Sequence, residues 1–327
     1  MMPLLAVKDL VVEFDLGRGA LRAVNEASLD VLPGEIMAIV GESGSGKTTL
    51  AFSIFNLVPP PGQIVGGEIF FDDIEVLSLG PEELRKYRWK EVAMVFQAAQ
   101  NVMNPVIRIA EQMIDTAQAH GKTAKGEVLE RAAELLRMVR LEPSQVLRAY
   151  PHELSGGMRQ RVIIALSLLL EPKMLILDEP TTALDVVTQA YILDILIDIR
   201  DRLGLTMMLL THDMSIVAKV ADRVGVMYAG RIMEVGNVGD IFYDAKHPYT
   251  MGLINAAPSL IGDVASKKPI PGSPPDLLNP PIGCPFHPRC AYATDRCREE
   301  RPELEKIGDG RLIACHNWWL IQGGEDG

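Results

Sequence analysis

Three short apolar runs, Ile36 to Val40, Met174 to Leu177 and Met207 to Leu210, stand out along the chain. Runs this short and without alternation predict strands buried on both faces, and the helical stretches between them predict a layered α/β domain. Between Gln97 and the second run, Val128, Leu129, Ala132, Ala133, Leu135, Leu136 and Val139 recur at helical spacing within a polar stretch. This pattern predicts an inserted helical subdomain at about residues 98–170. Val224 to Tyr228, then Ala229-Gly230-Arg231, then Ile232 to Val235 read as strand, tight turn and strand, and the main domain is expected to end soon after, at about residue 255. From Pro258 to Pro288 prolines become dense, which forbids continuous helix and predicts a loop-rich module over 256–327.

The longest apolar run, Val162 to Leu170, contains Ser167 and is closed by Arg161 and Glu171, well short of the roughly 20 residues that cross a bilayer. The amino terminus lacks a basic segment followed by a long apolar one, so no secretory signal is read there and a cytoplasmic location is expected. A net charge of -11 and a pI near 5.1 argue against a nucleic-acid backbone as the main partner, because that affinity comes from clustered Lys and Arg. All four cysteines, Cys284, Cys290, Cys297 and Cys315, fall in the last stretch, where something other than a hydrophobic core is expected to hold the tail together.

Gly41-Glu42-Ser43-Gly44-Ser45-Gly46-Lys47-Thr48 follows the first apolar strand and precedes a helical run from Thr49 to Phe55. This is the phosphate-binding loop pattern in its required context. Glycines let backbone N–H groups turn toward phosphate oxygens, Lys47 adds a positive charge, and Thr48 offers a hydroxyl to Mg²⁺. Gly41, Ser43, Gly44, Ser45, Gly46, Lys47, Thr48 and Thr49 are therefore candidate ATP contacts. The second strand ends in Asp178-Glu179, two carboxylates at the strand end where α/β folds place ligands. Asp178 can bind Mg²⁺ and Glu179 can polarise a water for in-line attack, although a buried strand ending in Asp-Glu is ordinary when met alone. Leu154-Ser155-Gly156-Gly157 precedes a helix and can offer a hydroxyl and N–H groups to an anion, or can serve only as a cap.

In this order, the phosphate loop, Ser155-Gly156-Gly157 and Asp178-Glu179 resemble the ABC ATPases. The resemblance implies a P-loop NTPase core, with a RecA-like sheet, an antiparallel β subdomain and the inserted helices, over 1–255. It further implies that Gln97 is the Q-loop glutamine and a Mg²⁺ ligand beside Thr48 and Asp178, that Ala183-Leu184-Asp185 is the D-loop, and that His212 is the switch histidine. Phe14 is the candidate for the aromatic that stacks on adenine, and is equally readable as core. In the family two ATPases sandwich two nucleotides, so Ser155, Gly156, Gly157 and Asp185 are implied to act on the partner's ATP, and Glu179, His212 and Gln97 to act in hydrolysis.

Asn104-Pro105, His247-Pro248-Tyr249-Thr250, Ala256-Ala257-Pro258 and the tail from Gly283-Cys284-Pro285 to Cys290, Cys297 and Cys315 resemble the oligopeptide and dipeptide importers. That likeness implies a subunit on the cytoplasmic side of the cell membrane, peripheral to it. Its implied partners are two transmembrane permease subunits, a second ABC ATPase, identical or homologous, and an extracytoplasmic solute-binding protein. Peptide is the implied solute, with oligosaccharide or nickel as alternatives; a soluble ABC protein acting on nucleic acid or the ribosome and an exporter subunit are the readings from other classes. Ala98-Ala99 departs from the Asp-Pro that many members carry after the glutamine. The four cysteines suit a [4Fe–4S] cluster, implied by the resemblance, with zinc, aided by His287 or His316, and unligated thiols as the alternatives.

Overall fold

Segments with no polar face can be accommodated only where both faces are covered, and that is where the apolar runs lie. The computed structural model describes residues 2–17, 19–97, 102–121, 124–182, 184–257 and 270–321. Along the chain the elements are β1 (Leu5–Asp15), β2 (Ala20–Val31), β3 (Ile36–Val40), α1 (Lys47–Ile54), β4 (Gly62–Phe71), β5 (Ile74–Glu75), α2 (Pro81–Tyr87), β6 (Val92–Val95), α3 (Ile109–Ala119) and α4 (Lys125–Met138). They continue as α5 (Pro143–Val146), α6 (Gly156–Ser167), β7 (Met174–Asp178), α7 (Val186–Leu203), β8 (Thr206–Thr211), α8 (Met214–Val220), β9 (Arg223–Tyr228) and β10 (Arg231–Asn237). The last are α9 (Val238–Tyr243), α10 (Pro248–Ala256), α11 (Asp295–Glu299), β11 (Glu305–Gly308) and β12 (Arg311–Ile313). Every residue of β3, β7 and β8 is buried, as strands without alternation require. No helix among the described residues is long and apolar enough to cross a membrane.

The chain divides into two compact units, Met1–Ser78 with Leu210–Gly327, and Leu79–Leu209, the division falling inside β8. In the first unit β2, β1, β4 and β5 form an antiparallel sheet in that order. A second set of strands runs β11-β12-β10-β9-β3, in which β3 and β9 are parallel and the remaining pairs antiparallel. The expected hairpin is β9–β10; its turn residues Ala229 and Gly230 both take positive φ, 50° and 79°, the two-residue geometry that matches strand twist.

The carboxyl-terminal segment departs from expectation. Cys284, Phe286 and Cys297 belong to the same buried cluster as Val40, Val226, Tyr228 and Tyr249, and β12 extends the strand set through the register Glu234↔Ile313. The tail is thus held by a hydrophobic core shared with β3 and β9, correcting the expectation that it lacks one. Arg311 of β12 also donates to the fully buried Glu234 of β10 (3.0 Å) and to Asp244 (2.9 Å), and Glu234 further accepts from the backbone of Lys246 and His247. A buried charge needs this degree of pairing to be tolerated.

In the second unit β6 and β7 pair in parallel, in the order β8-β7-β6, and the predicted helical spacing becomes α4, which buries Val128, Ala132, Leu135 and Leu136. Residues 102–170 group with β6, β7 and α7 in this unit. The dense prolines from 270 to 288 carry no α-helix, whereas Pro258 and Pro269 lie outside the described residues.

Candidate nucleotide site and cysteine cavity

In the first unit β3 delivers the chain to Gly41, where any Cβ would come within 2.1 Å of the Met227 carbonyl oxygen, so the close approach of β9 demands glycine. Gly46 caps α1 with φ 105°, and a Cβ there would stand 2.3 Å from the Ala23 carbonyl oxygen. Within the resulting curl the buried Lys47 Nζ donates to the carbonyls of Gly41 (2.8 Å) and Glu42 (3.0 Å) and to Ser45 Oγ (3.3 Å). Ser43 and Gly44 are exposed at the crest, and Thr48 and Thr49 are half-buried in the first turn of α1. Phe14 of β1 is half-buried and its ring covers Gly62, where a Cβ would meet ring atoms at 2.7 Å. His212 follows β8 and is exposed, while its neighbour Asp213 caps α8 by accepting from Ser215 N (2.8 Å).

In the second unit Asp178 is the last residue of β7 and only 2% exposed. Glu179 follows in the left-handed region, φ 46°, and its Oε2 accepts from Gln97 Nε2 (3.1 Å) and from Thr182 Oγ1 (2.9 Å). Two of the residues singled out for hydrolysis, Gln97 and Glu179, are thereby brought into direct contact. Ser155 caps α6, its Oγ accepting from Met158 N (3.3 Å), and is exposed; Gly156 and Gly157 open the helix. Asp185 caps α7, accepting from Val187 N (3.1 Å), Thr188 N (2.9 Å) and Thr188 Oγ1 (2.7 Å). The Thr188 hydroxyl bond holds the Asp185 carboxyl below its usual range. Thr188 also explains Gly157, where a Cβ would meet Thr188 Cγ2 at 2.8 Å. Ala98, Ala99 and Ala183 lie outside the described residues.

Cys284, Cys290, Cys297 and Cys315 are free thiols lining one small cavity with His247, His287, His316 and Asn317. Burial pushes Cys284 up to about 12 and Cys315 up to about 11, and raises Cys290. Among the described residues no group of three or more His, Cys, Asp or Glu side chains is arranged to hold a metal ion.

The profile of the ABC transporter family matches residues 24–182, and that of the oligopeptide/dipeptide transporter C-terminal region matches 233–297. The dipeptide transport ATP-binding protein DppD of Caldanaerobacter subterraneus is 46% identical over 96% of this chain and 96% of its own length. The oligopeptide transport ATP-binding protein OppD of Escherichia coli is 45% identical over 95% of this chain and 92% of its own. The chain belongs to the ABC transporter ATP-binding proteins, in their oligopeptide/dipeptide branch. Among solved structures, the dimeric MJ0796 bacterial ABC transporter cassette aligns with TM-score 0.64 at 29% identity, covering 72% of this chain and 98% of that one. The same cassette in a post-hydrolysis state bound to ADP and Pi aligns at 0.62 and 28%. This ABC ATPase therefore has the cassette fold, and ATP hydrolysis is its chemistry.

Sequence reasoning missed one feature of the ATPase. Glu42, in the phosphate loop, accepts a two-pronged ion pair from Arg289, and its backbone N–H donates to the Tyr249 hydroxyl (2.8 Å). The only sequence signal was indirect: Pro248 at the first position of a helix and His247 as its cap place Tyr249 in the first turn of α10.

Proposed function

We propose that the protein is the ATP-hydrolysing subunit of a membrane importer of dipeptides or oligopeptides, peripheral to the cytoplasmic face of the cell membrane. The observation that carries this reading is the 46% identity to a dipeptide transport ATP-binding protein along 96% of the chain, tail included. In this reading the phosphate loop from Gly41 to Thr49 holds the ATP phosphates, Lys47 neutralises their charge, and Thr48, Gln97 and Asp178 carry Mg²⁺ directly or through water. Glu179 accepts the proton of the attacking water, Gln97 and Thr182 orient its carboxylate, and His212 contacts the γ-phosphate. Phe14 stacks on adenine. Ser155, Gly156, Gly157 and Asp185 complete the site of a second ABC ATPase, identical or homologous, so that two sites close together and drive two permease subunits fed by an extracytoplasmic binding protein. The division into a cassette over 1–255 and a cysteine module over 256–327 belongs to the same reading.

The cysteine cavity is proposed to hold a [4Fe–4S] cluster on Cys284, Cys290, Cys297 and Cys315. What supports this reading is the donor set, four thiols lining one cavity, the number that gives one thiolate per iron of the cube. Such a group supplies a covalent tie between parts of the tail distant in sequence.

Affinity purification of the tagged chain from native membranes in mild detergent is expected to recover multi-spanning permeases and a second ABC ATPase. Recovery with ribosomes or nucleic acid alone, from intact membranes, contradicts the importer.

A further inference from the structure

Glu42 is anchored from the carboxyl-terminal segment at three atoms. Arg289 Nη1 donates to Glu42 Oε2 (2.7 Å) and Nη2 to Oε1 (3.0 Å), while Tyr249 Oη accepts from Glu42 N. The Arg289 side chain is 5% exposed, and two further donors are engaged: Nε with the Pro271 carbonyl (2.8 Å) and Nη1 also with the Tyr228 hydroxyl (3.3 Å). Its guanidinium lies over the rings of Tyr228 and Phe286, and Tyr228, Tyr249 and Phe286 pack on one another with centroids 4.5 to 5.3 Å apart. A planar fork stacked on aromatic rings and paired with both carboxylate oxygens has little freedom, so it fixes its partner.

That partner holds the phosphate-loop lysine. The Glu42 carbonyl accepts from Lys47 Nζ, and its Oε2-bearing side chain sits one residue from Gly41, whose carbonyl Lys47 also reaches. Arg289 itself is carried by the short turn His287–Arg289 between Cys284 and Cys290, closed by Arg289 N donating to the Phe286 carbonyl and Cys290 N to that of His287. Two thiols of the cavity therefore bracket the residue that grips the phosphate loop.

We propose that Arg289 is a positioning residue of the nucleotide site, through which the loop between Cys284 and Cys290 sets the geometry of the phosphate loop and hence the affinity for ATP. Nothing in its chemistry touches the reacting atoms; it acts through Glu42 on the turn that presents Lys47. The inference rests on the phosphate loop being the ATP site. It makes the tail an adjuster of nucleotide binding rather than a passive appendage, because whatever loosens the Cys284–Cys290 turn loosens Glu42.

The test is a double-mutant cycle on the full chain, reading the ATP dissociation constant, KM and kcat for Arg289→Ala, Glu42→Ala and the double variant, with Arg289→Lys as the conservative change. Expected are an ATP dissociation constant raised about tenfold in each single variant, the range of a lost charge-assisted bond, KM rising by more than kcat falls, and a double variant no worse than the poorer single. Arg289→Lys keeps the charge but not the fork and should lie between wild type and Arg289→Ala. Unchanged ATP affinity with only a lowered melting temperature, or effects that multiply in the double variant, overturns the proposal. If Arg289→Ala does not fold, Glu42→Ala and Arg289→Lys decide it by the same affinity reading. Failure of the wild-type chain to bind ATP would instead sink the functional reading on which the inference stands.

Discussion

Glu179 occupies a backbone region that side chains other than glycine avoid, at a cost of about 1–2 kcal/mol. Strain of this kind persists where surroundings impose it, and here its carboxylate is gripped by Gln97 and Thr182 immediately after the buried Asp178. The proposed role of this carboxylate is to accept the proton of the attacking water. Glu179→Gln should therefore lower kcat by about 10²–10⁴-fold while leaving the ATP dissociation constant near wild type, as measured by phosphate release and equilibrium nucleotide binding. Undiminished turnover removes Glu179 as the base. At this scale the candidate residues were legible because their spacing repeats a chemical requirement: glycines where the chain must curl, a lysine and a hydroxyl behind them, carboxylates at a strand end. Arg289 was not, since an arginine 247 positions beyond its partner carries no local pattern.

The phosphate loop is shaped as much by the strands around it as by its own glycines. Gly41 is pressed against β9 and Gly46 against β2, so the curl is built into the first unit. Gly46→Ala should cost at least about 2 kcal/mol, combining a left-handed alanine with a carbonyl 2.3 Å away, and should weaken ATP binding in parallel. Urea unfolding and nucleotide titration check both; a variant as stable as wild type refutes the packing argument. Strands β3, β7 and β8 and the β9–β10 hairpin could be read from unbroken apolar runs and a turn. The strands β1, β2, β4 and β5 could not be drawn one by one, because the register of β1 against β2 shifts between Val7 and Leu10 and again between Val12 and Glu13, which breaks strict alternation.

Across the whole molecule, the tail is more deeply built in than its prolines suggest. Cys284, Phe286 and Cys297 are scattered among turn-formers with no periodicity, so their burial with Tyr228 and Tyr249 could not be inferred from sequence. Anaerobically purified protein is expected to contain about four irons and four sulfides per chain, and Cys284→Ser to lose them together. Stoichiometric zinc, or neither metal nor sulfide, would contradict the cluster. Because the tail also packs on β3 and β9, the Cys284→Ser variant should remain folded, although less stable.

The most direct measurement is ATP-driven uptake of labelled dipeptides and oligopeptides into proteoliposomes carrying the complex recovered with this chain, comparing wild type with Glu179→Gln. Uptake that requires ATP with the wild-type chain, and is abolished by Glu179→Gln although nucleotide still binds, is the predicted result. Peptide uptake that proceeds equally with Glu179→Gln, or a complex that hydrolyses ATP and moves no peptide, would contradict the account.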